Sequence, residues 1–450
     1  MRKFLILLIF IANNIYAQEN NNWCNTTNIV NKEINKNQEY KDAIQEIIIN
    51  SNEWTNNNKK SNQIITIPVV IHIIHRQQHS LGQGTNIPDY QILDALRILN
   101  EDYSKTNPEF PNPPRNIFVN SAGNPNLEFC LATIDPSGNA TNGITRTVTS
   151  KVNFDPDTES NDMKRNQDGG KDGWDPSRYL NIWICDLASG NGGAVLGYAY
   201  LPGLPSWDAW KDGLVVDFQY FGTTGIAAPS SDGRTATHEI GHYLGLNHTF
   251  AEASGWGWSN PCVDSQGNLQ CCDNDDSNVN DTPPTDGIYW GPVNSLLPFQ
   301  SSADYNSCND MNYGFSTDMP DMHENYMSYA TDTWMFTNGQ INVMNSTLNG
   351  YRSNLKNSTV STNCTGTLSI NDILLDDILV YPNPTNRKIK INTKYQIHSI
   401  FIQDIIGKNI YLTEKINNKE IDLISLEDGV YFLTINTHIG TISQKIILTK

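Results

Sequence analysis

The stretch from His238 to His248 reads HEIGHYLGLNH. On a helix, His238 and His242 lie four residues apart, so both imidazoles leave the same face and can share one metal ion. Gly245 has no Cβ atom and readily adopts a left-handed conformation, which ends the helix and turns the chain back. This reversal brings His248 toward the same ion as a third ligand. Three imidazoles with one open position are typical of catalytic zinc, because a structural zinc site is closed by four protein ligands.

Glu239 lies beside the first predicted ligand, where its carboxylate can hold and deprotonate a metal-bound water. Two histidines four residues apart are common and carry little information by themselves. Adding Glu239, Gly245 and His248 at fixed offsets makes a chance match rare. The alternative is three histidines that pack or are solvated around a helix end. The complete pattern favours a metal-assisted hydrolase.

Length and charge limit the remaining classes of function. A chain of 450 residues is long enough for roughly two or three domains with a sizeable core. Its net charge is −18 and no basic stripe is present, which argues against binding to a nucleic-acid backbone. We therefore expect no nucleic-acid partner.

The first eighteen residues have the pattern of a signal peptide. Arg2 and Lys3 precede an apolar run over residues 4–12, and Ala17 offers a cleavage site before Gln18. The apolar run is too short to span a bilayer, and no later segment is long enough to be a transmembrane helix. The sequence predicts signal peptide 1–18 and a protein that is secreted or attached to the cell surface.

Residues 19–62 are rich in Asn, Lys and Glu, with one short helical pattern over 40–49. This composition is typical of a pro-segment or a flexible leader. Cys24 lies within it, and a thiolate on the zinc would occupy the position of the water and keep the enzyme latent. The alternative role for Cys24 is an ordinary disulfide, with Cys364 as a candidate partner.

The chain has eight cysteines, and in an exported protein disulfides are the default. Four of them, at 262, 271, 272 and 308, follow the zinc motif and suggest two bridges. Cys130 and Cys185 lie in strand-like runs and are candidates for pairing across neighbouring strands. No Cys-x-x-Cys pair supports a separate zinc cluster, and the connectivity stays open.

The pattern of apolar residues predicts an α/β (α+β) catalytic domain. A β-branched run over 64–74 indicates a buried strand, with His72 and His75 as core or strand-edge residues. An amphipathic helix over 92–103 follows, and then strands near 127–134, 180–185 and 213–218. This order predicts a sandwich with a mixed sheet, the active-site helix against that sheet, and the cleft along its edge.

Two further stretches lie on the C-terminal side of the zinc motif. Aspartates at 273, 275, 276 and 281 suggest calcium, although the spacing is not that of an EF-hand and a solvated acidic loop is the alternative. In the pentapeptide 325–329, a tight turn would place Met327 beneath the zinc as an apolar floor. Tyr329 would then point its phenol at the substrate oxygen and stabilise the oxyanion.

The last part of the chain has a different character. Residues 356–370 are rich in Ser, Thr and Asn and predict a linker. From 371 to 450, short alternating strands are separated by turn residues, with strands expected at 378–381, 389–391, 400–405, 430–435 and 442–448. This pattern predicts a small all-β sandwich without a catalytic constellation.

Several of these motifs together resemble the pappalysin family of metzincin zinc metalloproteases. They are GITR at 143–146, LNIW at 180–183, GRTAT at 233–237, the zinc motif, DTP at 281–283, NYM at 325–327 and FTNGQ at 336–340. The resemblance covers roughly residues 64–350 and predicts a catalytic domain over 63–355. The chain departs from the family pattern in the insertion that holds Cys271 and Cys272, and in Asn25, which follows Cys24 and makes the match to a cysteine-switch motif incomplete.

The resemblance also implies roles for individual residues. It implies zinc bound by His238, His242 and His248, with Glu239 as the general base. It further implies Met327 in the Met-turn, Tyr329 near the oxyanion, and structural calcium with Asp281 and Thr282 among its ligands.

The tail separately resembles the C-terminal sorting domain of bacterial type IX secretion. The residues that carry this resemblance are VYPNPT at 380–385, 404–408, DGVY at 428–431 and the basic ending 445–450. It implies export across the outer membrane through that secretion machinery and removal of the tail.

The function predicted from the sequence is that of a secreted zinc endopeptidase that acts on proteins or peptides. The alternative from another class is a secreted adhesin or binding protein that keeps the fold and hydrolyses nothing. A missing ligand or a missing glutamate would favour that alternative, and none is missing. A zinc exopeptidase is a further alternative, but no residue marks a site for a free chain terminus.

Overall fold

The computed structural model describes most of the chain. The described residues are 23–57, 63–113, 115–190, 193–250, 279–285, 288–293, 306–363, 378–393, 397–404, 409–413, 420–437 and 440–449. The predicted signal peptide, the aspartates at 273–276 and the cysteines at 262, 271, 272 and 364 lie outside these residues.

A mixed sheet forms the centre of the catalytic domain. Its strands are β1 Ile65–Arg76, β2 Leu127–Ala132, β3 Ile144–Thr149, β4 Leu180–Cys185, β7 Gly197–Ala199, β8 Leu214–Asp217 and β9 Thr362–Asn363. Strands β5 Ser189–Gly190 and β6 Gly193–Ala194 form a separate hairpin. The order in the sheet is β7-β8-β4-β1-β2-β9, with β3 also paired to β1. β1, β2, β3, β4 and β8 run parallel, whereas β7 and β9 are antiparallel to their neighbours, which confirms the predicted mixed sheet.

Helices cover both faces of this sheet. They are α1 Thr26–Ile34, α2 Gln38–Asn57, α3 Asp89–Tyr103, α4 Thr235–Tyr243, α5 Asn338–Asn349 and α6 Ser353–Lys356. α3 forms where the apolar periodicity predicts it, and Ile92, Leu99 and Tyr103 are buried in one core with the parallel strands. Ile240 and Leu244 join that core, so α4 lies against the sheet as predicted.

The described part of the leader is folded and packed, so the flexible-leader alternative is wrong for residues 23–57. Tyr40 of α2 is fully buried and donates its hydroxyl to the carbonyl of Leu201, 2.9 Å away. Ile47 belongs to the main core, and Glu33 pairs with Lys211 at 3.1 Å. The single short helix predicted for this segment is two helices, because apolar positions recur over a longer span than 40–49.

The strand order overturns the proposed pairing of Cys130 with Cys185. Cys130 lies on β2 and Cys185 on β4, and β1 runs between these two strands. Cys185 is buried and free, while Cys130 and Cys308 each take part in a disulfide bond. Cys24 is also buried and free, so the disulfide alternative for this residue is wrong.

The boundary of the catalytic domain also differs from the prediction. β9 lies within the predicted linker 356–370, but it pairs with Leu131 and Ala132 of β2. Residues 362–363 therefore belong to the catalytic sheet. A two-residue edge strand carries too little periodicity to be recognised in a sequence rich in Ser, Thr and Asn.

The C-terminal segment contains two antiparallel sheets, as expected for a small β-sandwich. One contains β10 Leu379–Tyr381, β11 Lys388–Asn392 and β14 Glu420–Asp422, and the other contains β12 Ile397–Gln403, β13 Asn409–Thr413, β15 Gly429–Thr437 and β16 Gly440–Leu448. Apolar side chains of both sheets share one core. The structure adds β13 and β14 to the strands that the sequence indicates. In the part of the chain that the structure describes, no helix has the length and apolar character needed to cross a membrane.

Candidate metal centre and active-site cleft

α4 ends in the turn that the sequence predicts. Gly245 has φ +98°, in the left-handed region. Its N–H donates to the carbonyl of His242 at 2.9 Å, and the N–H of Leu246 donates to that of Gly241 at 3.0 Å. These two bonds form a Schellman motif, which satisfies helix-end carbonyls and reverses the chain. The reversal carries His248 back to the helix.

The three predicted ligands converge on one point. The Nε2 atoms of His238 and His242 are 3.2 Å apart, and each lies 3.1 Å from the Nε2 atom of His248. A tetrahedral zinc ion about 2.05 Å from each nitrogen requires nitrogens about 3.3 Å apart. The donor set and its spacing therefore fit one ion of that size.

Backbone carbonyls fix the orientation of two of these rings. His238 Nδ1 lies 2.7 Å from the carbonyl oxygen of Tyr326, and His242 Nδ1 lies 2.8 Å from that of Leu246. A carbonyl only accepts, so each Nδ1 carries the proton and each Nε2 presents a lone pair to the centre. Burial lowers the pKa of His238 to about 4, and burial with the neighbouring imidazoles lowers the pKa of His242 and His248 well below the ordinary value. Neutral imidazoles are the form that binds a metal.

Glu239 lies at the same place and is 1% exposed. Burial raises the pKa of its carboxyl to about 8, against hydrogen bonds from Cys24 and Thr26 that lower it. Gly197 of β7 packs on it so closely that a Cβ there would lie 3.0 Å from Glu239 Cγ. The carboxyl is therefore held in one position beside the three histidines.

Met327 lies directly beneath α4. A Cβ atom at Gly241 would lie 2.3 Å from Met327 Sδ, so the close approach requires glycine. Asn325 holds the turn, because its side-chain oxygen accepts the N–H of Met327 at 2.9 Å and its amide exchanges two hydrogen bonds with Gln340. Gln340 in turn forms a capping box with Thr337 at the start of α5. The NYM and FTNGQ motifs are thus joined by hydrogen bonds and together hold Met327 beneath α4.

A buried carboxylate outside the predicted site supports the same elements. Asp102, at the end of α3, accepts the hydroxyls of Thr237 and Tyr326, both at 2.7 Å. It also pairs with Arg234 at 3.3 Å. Since the Tyr326 carbonyl orients His238, Asp102 links α3 to the histidine cluster. The sequence contains no short-range signal for this role, because Asp102 lies far from these partners along the chain.

The leader brings Cys24 to the histidine cluster. Its Sγ atom and the ligand atoms of the three histidines all lie within 4.8 Å of one another. Sγ also lies 3.5 Å from Glu239 Oε2. Cys24 forms a parallel bridge with Gly197, the first residue of β7, so the leader runs along this strand at the edge of the sheet.

Two more contacts connect the leader to the predicted catalytic groups. The hydroxyl of Tyr329 accepts the N–H of Cys24 at 3.2 Å and donates to its carbonyl at 3.3 Å. The hydroxyl of Thr26 donates to Glu239 Oε2 at 3.3 Å and accepts the N–H of Ala199 at 3.0 Å. The sequence does not predict this role of Thr26, because its partner Glu239 lies 213 residues away along the chain.

A cavity of about 410 Å³ opens beside the histidines. Its walls include Glu239, Arg234 and the segment 328–331, and Trp23 of the leader covers part of it. Leu196, which immediately precedes the edge strand β7, also lines the cavity, so the cavity lies near the sheet edge along which the sequence predicts the cleft.

The two residues implied in calcium binding contact the backbone of neighbouring segments. Asp281 Oδ2 accepts the N–H of Gly339 at 2.9 Å, at the start of α5. Thr282 donates its hydroxyl to the carbonyl of Val279 at 3.0 Å. The DTP motif therefore contacts the FTNGQ motif, and calcium at this position stays a prediction.

Comparison with known proteins gives matches to both parts of the chain. Residues 163–349 match the peptidase family described as pregnancy-associated plasma protein-A, and residues 379–449 match the family described as secretion system C-terminal sorting domain. Mature mirolysin of Tannerella forsythia in complex with a cleaved peptide is 34% identical, and the match covers 66% of this chain and 97% of that one with a TM-score of 0.51. A promirolysin variant from the same organism is 31% identical over 74% of this chain and 96% of its own, with a TM-score of 0.55.

Curated sequences give a similar result. Extracellular metalloprotease 1 of Coccidioides posadasii is 28% identical over 59% of this chain and 71% of its own length. The chain spans between 27% and 75% of the length of the curated relatives it matches.

Proposed function

The chain belongs to the pregnancy-associated plasma protein-A family of metalloproteases, and from its site we propose that it hydrolyses internal peptide bonds of proteins with zinc as its metal. The observation that carries this proposal is the convergence of three neutral imidazoles next to a buried carboxyl. Matches to extracellular metalloproteases and to a secretion sorting domain indicate that the protein is exported. The complete ligand set and base speak against the non-catalytic adhesin.

Each residue of the site has a role in this proposal. His238, His242 and His248 would hold the ion, which when bound would make a water molecule more acidic and the scissile carbonyl more electrophilic. Glu239 takes a proton from the attacking water and passes it to the leaving amine. Its position supports this role, because the carboxyl follows the first predicted ligand on α4 and is held beside the histidines by the close packing of Gly197.

Tyr329 and Met327 support the reacting groups in different ways. Burial raises the pKa of Tyr329 well above its usual value, so its hydroxyl stays protonated and can donate to a developing oxyanion. Met327 is fully buried against α4 and gives the histidines an apolar floor.

The test of this proposal compares the processed protein with two variants on a diverse peptide library, with the cuts located by mass spectrometry. We expect internal cuts by the parent protein alone. Glu239→Ala should keep one equivalent of zinc and lose turnover, whereas His242→Ala should lose the metal. Retained turnover in Glu239→Ala would refute the assignment of the base, and terminal trimming by the parent would favour an exopeptidase.

We further propose that residues 23–57 are an inhibitory pro-segment and that Cys24 is its latency switch. The proximity of the Cys24 thiol to the three Nε2 atoms supports this, since a thiol at that point leaves no room for the attacking water. Contacts of the same segment with Glu239 and Tyr329 engage the two other reacting groups. The existence of separate mature and pro forms of mirolysin is consistent with a removable segment.

The tail and the DTP motif complete the proposal. We propose that residues 379–449 bring the protein to the type IX secretion machinery, and deletion of this segment should leave the protein inside the cell.

For calcium at Asp281 and Thr282, the test is thermal stability after chelation and reloading with zinc alone. Full recovery of stability with zinc alone would remove calcium from the proposal.

A further inference from the structure

Two aromatic rings form a surface next to the histidine cluster, which we call the aromatic shelf. It consists of Trp290 and Tyr329, whose ring centroids are 5.1 Å apart. Tyr329 is fixed from behind by Phe250 at 4.8 Å and by the His248 ring at 4.9 Å. The shelf is therefore rigid on the side of the metal centre, and Trp290 extends it on the side of Tyr329 where Trp23 packs.

The leader covers this shelf with its own tryptophan. The Trp23 ring meets Trp290 edge to face, with centroids 5.0 Å apart, and lies 6.2 Å from Tyr329. This T-shaped arrangement is one of the favourable geometries for aromatic pairs. Trp23 also lines the cavity of about 410 Å³ beside Glu239.

The backbone that carries Trp23 occupies the place where an extended peptide would bind. Its carbonyl accepts the N–H of Leu196 at 2.8 Å and that of Gly197 at 3.4 Å, at the edge of the sheet. Adding a strand to an exposed sheet edge is a general mode of peptide binding, in which backbone bonds give affinity and side-chain pockets give selectivity. Since Cys24 lies at the histidines, its neighbour Trp23 shows where a side chain close to the scissile bond can reach.

We propose that, once the leader has left, the aromatic shelf binds an aromatic side chain of the substrate within two residues of the scissile bond. Trp290 is then a specificity-determining residue, and Trp23 occupies its subsite in the latent protein. This inference rests on the proposed endopeptidase function. An aromatic side chain would restore both the apolar contact and the ring geometry that Trp23 supplies, whereas a small side chain would leave the shelf exposed to water.

The test uses the processed enzyme loaded with zinc and peptides that differ only at the positions flanking the cut bond. At each position Trp or Phe is compared with Ala, and the ratio of kcat/KM values is the readout. In Trp290→Ala this ratio should fall about tenfold at one of the positions, because the loss of kcat/KM is larger for the aromatic peptide than for the alanine peptide. Trp290→Phe should keep most of the preference for aromatic over alanine peptides.

Trp207→Ala is the matched control, because Trp207 is 62% exposed. It should leave the ratio unchanged. The inference is overturned if Trp290→Ala leaves the ratio of kcat/KM values unchanged. It is also overturned if Trp290→Ala unfolds at the same temperature as the parent but loses kcat/KM equally for aromatic and alanine peptides. In either case, cleavage by the parent still supports the proposed endopeptidase function. If the zinc-loaded parent cuts no peptide, the proposed function itself fails and the inference falls with it.

Discussion

Replacing Thr26 with valine should make the uncleaved protein more active by loosening the leader. The Thr26 hydroxyl donates to Glu239 Oε2 at 3.3 Å and accepts the N–H of Ala199 at 3.0 Å. Valine has nearly the same shape but can form neither bond. Both bonds exist only while the leader is docked, so their loss shifts the balance toward the open, active form.

The size of the effect follows from those two bonds. Each buried hydrogen bond contributes about 1 kcal/mol net, so the variant destabilises the docked state by about 2 kcal/mol. Since about 1.4 kcal/mol corresponds to a factor of ten, the open fraction should rise about thirtyfold. As long as the open form is a minority, the initial rate of peptide cleavage rises by the same factor.

The assay measures initial rates of the full-length protein, with gel electrophoresis to confirm that the leader is intact. Thr27→Val is the matched control, because Thr27 is the adjacent threonine in the same turn of α1 and is only half-buried, whereas Thr26 is buried. Processed enzymes made from both variants should have the same kcat/KM as the parent. A basal rate in Thr26→Val equal to that in Thr27→Val would refute the reasoning.

Three further perturbations test other parts of the molecule. Asp102→Asn leaves Arg234 without one of its buried partners and should cost about 3 kcal/mol, seen as a lower Tm; an unchanged Tm would contradict the supporting role of Asp102. Burial raises the pKa of Asp217 to about 7, so its folded form holds a proton that the unfolded chain releases near pH 4. The free energy of unfolding of the parent, relative to that of Asp217→Asn, should therefore fall by on the order of 4 kcal/mol between pH 4 and pH 8. Urea unfolding at each pH measures both free energies, and a difference between them that is independent of pH would contradict the prediction. Cys24→Ala should be active without removal of the leader, and unchanged latency would exclude Cys24 as the switch.

The convergence of the three histidines could be predicted from the sequence because their geometry is local. His238, His242 and His248 lie within eleven residues, and the period of a helix and one left-handed glycine fix where they point. The main strands could be predicted for a similar reason, since β1 and β4 are predominantly apolar runs typical of strands buried on both faces.

The features that the sequence did not predict depend on contacts between distant parts of the chain. The pairing of Cys130 with Cys185 required the strand order, and nothing in the sequence shows that β1 lies between them. Asp102 and Thr26 are ordinary polar residues until the fold places them beside α4. The sequence predicts only part of the folding of the leader, because Ile29, Val30 and Tyr40 are buried against side chains of the catalytic domain that lie far away along the chain.

The docked leader resembles a substrate in some contacts and differs in the one that matters for hydrolysis. The Cys24 carbonyl accepts a hydrogen bond from Tyr329, as a scissile carbonyl would, and the backbone around it pairs with the edge of the sheet. The Cys24 side chain, however, points its sulfur at the histidines and contacts Glu239, where the attacking water would have to be. Thr26 then hydrogen-bonds the same carboxyl. In the latency that we propose, the leader would therefore bind as a peptide does while its thiol excludes the attacking water and its contacts engage Glu239, so the segment in the active site would not be cleaved there.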